Sequence, residues 1–584
     1  MKPDAAAGRS PVNELTRWVV LAGIAIMVWL APTVAAAAWS TTGWRPGSKA
    51  ASMFAAYAHL FAPQRIAGSG LAGGRFGWTV VGLFAAAIVV WSIPARSLGR
   101  RRRAVLRGLA TRRDLRRFAP AEIVARSVTI LGGRTKDPRR AGLLVGRDVY
   151  TGGEVWLSKE STLLVLAPPR SGKTSGTVAP AVIDHHGPVV ATGVRHDIMQ
   201  WTHPWRAERA GPLWVCEPML EPGTRLPDGV REVRWSPLSG CTDLVTAQLR
   251  AEALFAAIPK GGANDEYWRN AGTQLLAGLL MAAAVQDGRI TDVVGWINRD
   301  SDTTPADLLR AAARLLDEFT ADIFVGIAGE LEAAAAQDPR YKAGVTGQAR
   351  QAMAPFRLPA IRRMCDVSIA DSFDPVEFLT TSGTIWMLGS EEHQSQAAGV
   401  CTALTASIVE QARRLARAGS GRLQPPLLLA LDEAVNVAPI PRLEQLLSTG
   451  GGSGIQTIVV LQSLAAARHA WGQEMGDALL DFNNAKLVLG GLGDAQELQD
   501  ISTLLGQRDE RVVQTSRSGS LRFFDIGDTT WSWRQVPVMR PDEIREIDSE
   551  KRGHALLVAR STPGILLRQD RIFNRTPPRR KASA

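Results

Sequence analysis

Only four cysteines occur in the 584 residues, Cys216, Cys241, Cys365 and Cys401, and none stands in a CxxC pair or at metal-ligand spacing from a histidine. That scarcity excludes a disulfide framework and a zinc site. The body of the chain also lacks a basic excess, although the net charge is +12. Residues 1–95 carry +5, residues 96–117 carry +9 and residues 571–584 carry +5, which leaves −7 on residues 118–570. Coating of nucleic acid by global charge is thereby disfavoured, and the clustered cations suit a membrane surface better. Apolar content is 45%, so disorder does not govern the chain. Its length predicts two or three domains.

Charge is absent from two stretches. Trp18–Trp39 and Phe76–Ala95 are apolar and uncharged. Each reaches the roughly 20 residues needed to span a bilayer, and Trp18, Trp39, Trp78 and Trp91 lie near their ends, where interfacial aromatics belong. A cleaved signal peptide competes for the first run, suggested by Ala35–Ala38, but the run is long and a second follows. The expectation is a transmembrane hairpin within residues 1–95, with 40–75 an external loop. Arg96, Arg100, Arg101, Arg102, Arg103, Arg107, Arg112, Arg113, Arg116 and Arg117 follow the second span directly. Such a cluster stays cytoplasmic, which places both termini and everything beyond the basic juxtamembrane linker 96–140 inside a multi-pass cytoplasmic-membrane protein. Topology explains this cluster better than nucleic-acid binding does.

The chemistry begins at Ser161–Ala167, an apolar strand that runs into Ala167-Pro168-Pro169-Arg170-Ser171-Gly172-Lys173-Thr174. This is a P-loop pattern with alanine in the first glycine position. Backbone N–H groups of such a loop curl around a β-phosphate at a helix N-terminus, Lys173 reaches the β- and γ-phosphates, and the Thr174 hydroxyl binds Mg²⁺. ATP and Mg²⁺ are the expected ligands. Beyond phosphate binding, Lys173 has no evident structural role. Pro180 is expected to end or kink the following helix within two turns. A second apolar run, Pro426–Leu431, ends in Asp432-Glu433. A carboxylate pair at the end of a buried strand is the arrangement in which Asp432 holds Mg²⁺ through water and Glu433 polarises the attacking water. A third run, Ile455–Leu461, ends in Gln462-Ser463, placing a γ-phosphate sensor beside them, and Lys486–Gly491 adds a further strand. The fold class expected is α/β with a parallel sheet.

With these pieces in this order, the chain resembles the conjugative coupling proteins of type IV secretion systems, the TraG/TraD group. The resemblance covers the hairpin, the P-loop, Trp235–Leu238, Leu431–Ser463 and Val536–Ile544. It implies a RecA-like P-loop NTPase with an all-α insert domain, assembled as a homo-hexamer. It implies recruitment of single-stranded DNA or a relaxase–DNA complex and delivery to secretion-channel components. Carried over by position, Lys173, Thr174, Asp432, Glu433 and Gln462 form its site. The chain departs from the group in two places. Some relatives carry an arginine finger between the last two motif strands, where this sequence has Ser448–Gly454 without an arginine; Arg442 is the nearest alternative. Glu217-Pro218 replaces the group's Asp-Pro.

Helical apolar spacing and scarce β-branching mark residues 246–365 as the insert, with a break expected near Gly344. The nucleotide-binding domain then comprises 141–245 and 366–570, followed by a basic tail, 571–584. Two other readings compete: another RecA-like DNA translocase of the chromosome-segregation type, and a membrane adaptor with little hydrolysis.

Overall fold

Continuous runs of Leu, Val, Ile and Ala become strands buried on both faces. The computed structural model describes residues 108–578, apart from residue 210 and segments 259–262, 300–301, 390–393 and 516–528. Both expected spans, most of the arginine cluster and the last residues of the basic tail lie outside the described residues. Among the described residues, no helix is long and apolar enough to cross a membrane.

The strands in chain order are β1 (Gly142–Asp148), β2 (Glu154–Ser158), β3 (Leu163–Leu166), β4 (Val189–Gly193), β5 (Leu213–Cys216), β6 (Val230–Glu232) and β7 (Thr384–Leu388). Then come β8 (Leu427–Leu431), β9 (Ile455–Leu461), β10 (Ala485–Val488), β11 (Gln507–Thr515), β12 (Thr529–Pro537), β13 (His554–Ala559) and β14 (Ile565–Arg568). Twelve of them form one sheet in the order β2-β1-β14-β13-β10-β3-β9-β8-β4-β7-β5-β6, and β11 and β12 pair separately. From β10 to β6 every neighbouring pair is parallel. From β2 to β10 every pair is antiparallel. Alternation along the central strands feeds two cores. Leu164, Leu166, Leu429, Leu431 and Val459 face one. Leu163, Val165, Leu428, Ala430 and Ile458 face the other. That two-sided burial is why these strands read as unbroken apolar runs.

Between β6 and β7 the chain is helical, from Leu244–Phe255 through Ala263–Val285 to Pro359–Cys365. Trp235, fully buried, joins this region to the sheet: the Arg250 guanidinium lies 4.7 Å from its ring centroid, and Arg250 also donates to the Pro237 carbonyl at 3.1 Å. The break expected at Gly344 is absent, because the helix Pro339–Met353 runs through it. A Cβ there would lie 2.9 Å from the Trp268 indole, so this glycine admits a close packing partner. Within the expected linker 96–140, short helices from Asp114 onward bury Leu115, Phe118, Ile123 and Ile130. All four cysteines are free and buried.

Lys159, in the β2–β3 turn, is only 3% exposed. Burial first, then the nearby Arg209 and Arg206 charges, push its ammonium down to about 7. A base with a lowered folded-state pKa binds fewer protons folded than unfolded, so its penalty is full below pH 7 and shrinks toward the unfolded value. Lys159→Met is expected to stabilise the fold, by on the order of 3 kcal/mol at pH 6 and less at pH 9. Chemical denaturation at the two pH values measures this, and an equal change at both contradicts it.

Candidate nucleotide site

The P-loop leaves the carboxyl end of β3, and the Ala167 N–H continues the ladder by donating to the Leu461 carbonyl of β9 at 3.0 Å. Pro168 and Pro169 lack N–H groups, so the backbone donors this loop can offer are those of Arg170 to Thr174. Arg170 turns the chain at φ 63 and Gly172 at φ 88. The Ser171 hydroxyl closes the loop by donating to the Pro168 carbonyl at 2.7 Å. Pro180 does not end the helix that follows. Thr174–Val178 forms a π-helical turn and Ala179–Asp184 an α-helix, so the proline falls at the change of register, where a missing N–H is tolerated.

One strand, β9, separates β3 from β8, and the three carboxyl ends bring the five expected site residues together. Lys173 Nζ lies 2.8 Å from Glu433 Oε1 and 3.6 Å from Asp432 Oδ1. Gln462 Nε2 donates to the same Glu433 oxygen at 3.3 Å. The Thr174 hydroxyl donates to Asp432 Oδ2 at 2.5 Å. Asp432 is buried, and burial raises its carboxyl above the usual range against the opposing pull of Lys173 and Thr174. Glu433 adopts the left-handed conformation, φ 52 and ψ 47, at the exit of β8, a cost that persists at functional sites. Lys173 therefore has a role that sequence alone did not suggest: with no ligand bound, it balances two neighbouring carboxylates.

These residues fit Mg²⁺. Asp432 Oδ1 is buried without a hydrogen-bond partner, beside the Thr174 hydroxyl. Among the described residues, no group of three or more His, Cys, Asp or Glu could hold a metal. Mg²⁺ needs none, since it takes one or two protein oxygens together with water and nucleotide phosphates.

The other expected residues fall elsewhere. Glu217 follows β5, which β4 and β7 separate from β8, and pairs with His196 at 2.9 Å. Arg442, the only arginine between β8 and β9, forms an ion pair with Glu252 of its own chain at 2.7 Å. Part of the basic tail is built into the fold: Arg575 pairs with Asp184 at 2.8 Å and Asp570 at 3.1 Å. Arg571, which also begins the tail, packs on Gly172, where an added Cβ would lie 3.2 Å from its Nη2. No motif marked Arg571, because the contact joins distant parts of the chain.

The family described as "Type IV secretory system Conjugative DNA transfer" matches residues 117–582. No curated protein matches the sequence. Among solved structures, the bacterial conjugative coupling protein TrwBdeltaN70, in an unbound form, is 16% identical with a TM-score of 0.50, over 77% of this chain and 91% of that one. The plasmid coupling protein TrwB in complex with ADP and Mg²⁺ is 16% identical with a TM-score of 0.50, over 79% of this chain and 94% of that one. At that identity the likeness concerns the fold.

Proposed function

Because the chain belongs to the type IV secretory system conjugative DNA transfer family, we propose that it is a membrane-anchored ATPase coupling a conjugative DNA or protein substrate to the secretion channel. The observation that carries the catalytic part is the convergence of Lys173, Thr174, Asp432, Glu433 and Gln462 at the carboxyl ends of three neighbouring strands. ATP lies in the P-loop with its γ-phosphate toward β8 and β9. Thr174 and Asp432 would hold Mg²⁺, which would neutralise phosphate charge there. Glu433 takes the proton of the attacking water, and Gln462 orients Glu433. A relative of the same fold was solved with ADP and Mg²⁺, which supports the same ligands here.

The protein works as a RecA-like homo-hexamer anchored by the hairpin in residues 1–95, with the helical segment 246–365 as an insert domain. Its partners are single-stranded DNA or a relaxase–DNA complex, the channel components and membrane lipid. A second reading, an adaptor with little basal hydrolysis, draws support from Arg442. That residue is engaged in cis, and Ser448–Gly454 offers no arginine for a neighbouring active site.

Two measurements test the proposal. DNA should stimulate ATP hydrolysis by the full chain in detergent, and deletion of the gene should lower transfer of a mobile element by orders of magnitude. Hydrolysis indifferent to DNA, with transfer unchanged in the deletion strain, sinks the coupling function. Transfer that is lost on deletion but restored by a Lys173→Ala chain supports the adaptor instead.

A further inference from the structure

The segment leaving β14 runs along the P-loop and its helix. Gln569 Nε2 donates to the Thr177 hydroxyl at 2.6 Å, and the Gln569 N–H donates to the Gly553 carbonyl at 2.8 Å. Two residues on, the Arg571 guanidinium lies between two glycines. A Cβ on Gly172 would stand 3.2 Å from its Nη2 and 3.5 Å from its Cζ, and a Cβ on Gly553 would stand 3.4 Å from its Nε. Both glycines have positive φ, 88 and 66, a conformation that opens room for the flat fork. Nη2 is fixed by the Ser549 carbonyl. Nε is buried and has no hydrogen-bond partner. No carboxylate of the described residues forms a salt bridge with this arginine. A cleft of about 380 Å³ opens beside it, lined by Arg147, Lys551, Arg552, Arg568 and Asp570, of which Arg147 pairs with Glu154, Arg552 with Asp548 and Asp570 with Arg575.

A fixed, uncompensated guanidinium against an anion-binding loop calls for an anion. We infer that Arg571 contacts the α- or β-phosphate of the bound nucleotide in cis. The inference rests on the assignment of the P-loop as a nucleotide site. Sheet order sets the direction of the nucleotide. The groups placed at the γ-phosphate stand on β9 and β8, on one side of β3, whereas Arg571 arrives from β13 and β14 beyond β10 on the other. A nucleotide crossing the P-loop thus meets Arg571 at the end away from the reacting phosphate. Nucleic-acid backbone fits less well, because Arg571 is half-buried and held against the loop itself.

The test uses the full chain in detergent and fluorescent ATP and ADP. Arg571→Gln keeps a donor for the Ser549 carbonyl and removes the charge. ATP and ADP affinities are expected to fall together, by about 10- to 100-fold. The kcat at saturation should change by less than about threefold, as for an interaction shared by ground and transition states. Wild-type affinity for both nucleotides overturns the inference, as does loss of ATP but not ADP affinity, or loss of single-stranded DNA binding with nucleotide affinity intact. Should the variant fail to fold, the wild-type protein gives the answer by phenylglyoxal modification. ADP, but not adenosine, is expected to protect Arg571, and absence of protection overturns the contact. Lys173→Ala separates the two levels. If wild type and Lys173→Ala bind nucleotide equally, the P-loop assignment itself fails; if only Arg571→Gln is without effect, this inference alone fails.

Discussion

Lys173→Ala is expected to lose ATP hydrolysis, to below about a hundredth of the wild-type rate. Its ammonium stands at the P-loop, 2.8 Å from Glu433 Oε1 and 3.6 Å from Asp432 Oδ1. The same change should also weaken the ligand-free fold. The Asp432 and Glu433 side chains are only 5% and 20% exposed, and Lys173 is their shared partner. Removing one member of a buried ion pair typically costs about 3–5 kcal/mol, because the remaining charge is left uncompensated. Burial already raises the Asp432 carboxyl, with Lys173 the foremost opposing influence. Without Lys173 it rises further. An acid with a raised folded-state pKa destabilises the fold above its unfolded value and ceases to do so as pH falls. The stability deficit should therefore be larger at pH 8 than at pH 5, and Mg²⁺ should recover part of it. Hydrolysis rates and thermal unfolding at both pH values measure this. Wild-type turnover in the mutant ends the assignment of the loop; lost turnover with unchanged stability at pH 8 refutes the charge-balancing role.

How much of this was legible in the sequence depends on how local each feature is. β3, β8 and β9 announce themselves as unbroken apolar runs because both faces of the sheet are covered. Each active group stands at the end of such a run, so Lys173, Asp432, Glu433 and Gln462 could be located without a fold. Gly344 misled because a glycine within a helical pattern reads as a breaker, whereas here it accommodates Trp268 from another helix. Pro180 marks a change of helical register and not a helix end, and a π-helical turn is not written in composition. Contacts between distant segments were illegible in principle. Nothing near Arg442 points to Glu252, and nothing near Arg571 points to Gly172. The tail reads as a solvated basic run until β14 is placed two strands from β10 and its exit is carried onto the P-loop. The same holds for the order β3-β9-β8, in which the strand latest in sequence stands between the other two and sets Gln462 against Glu433.

Glu433→Gln is expected to bind ATP at least as tightly as wild type and to turn over about 10²–10⁴ times more slowly. The carboxylate sits at the tip of β8 in a left-handed backbone conformation that glutamine adopts at the same cost, so the geometry should survive. Two donors meet its Oε1, Lys173 Nζ at 2.8 Å and Gln462 Nε2 at 3.3 Å. On the proposed roles, entry of a nucleotide would transfer Lys173 from Glu433 to phosphate, leaving the carboxylate held by Gln462 and free to accept a proton from water. The amide keeps the length of the side chain but cannot accept that proton. It also removes a negative charge from the neighbourhood of the phosphates and weakens the hold on Lys173, and both effects favour ATP binding. Turnover and affinity should therefore move in opposite directions, which simple damage to the site would not produce. Single-turnover hydrolysis and fluorescent-ATP binding on the same preparation decide it. Loss of affinity with turnover within about tenfold of wild type would show that Glu433 positions the nucleotide and that another group activates the water.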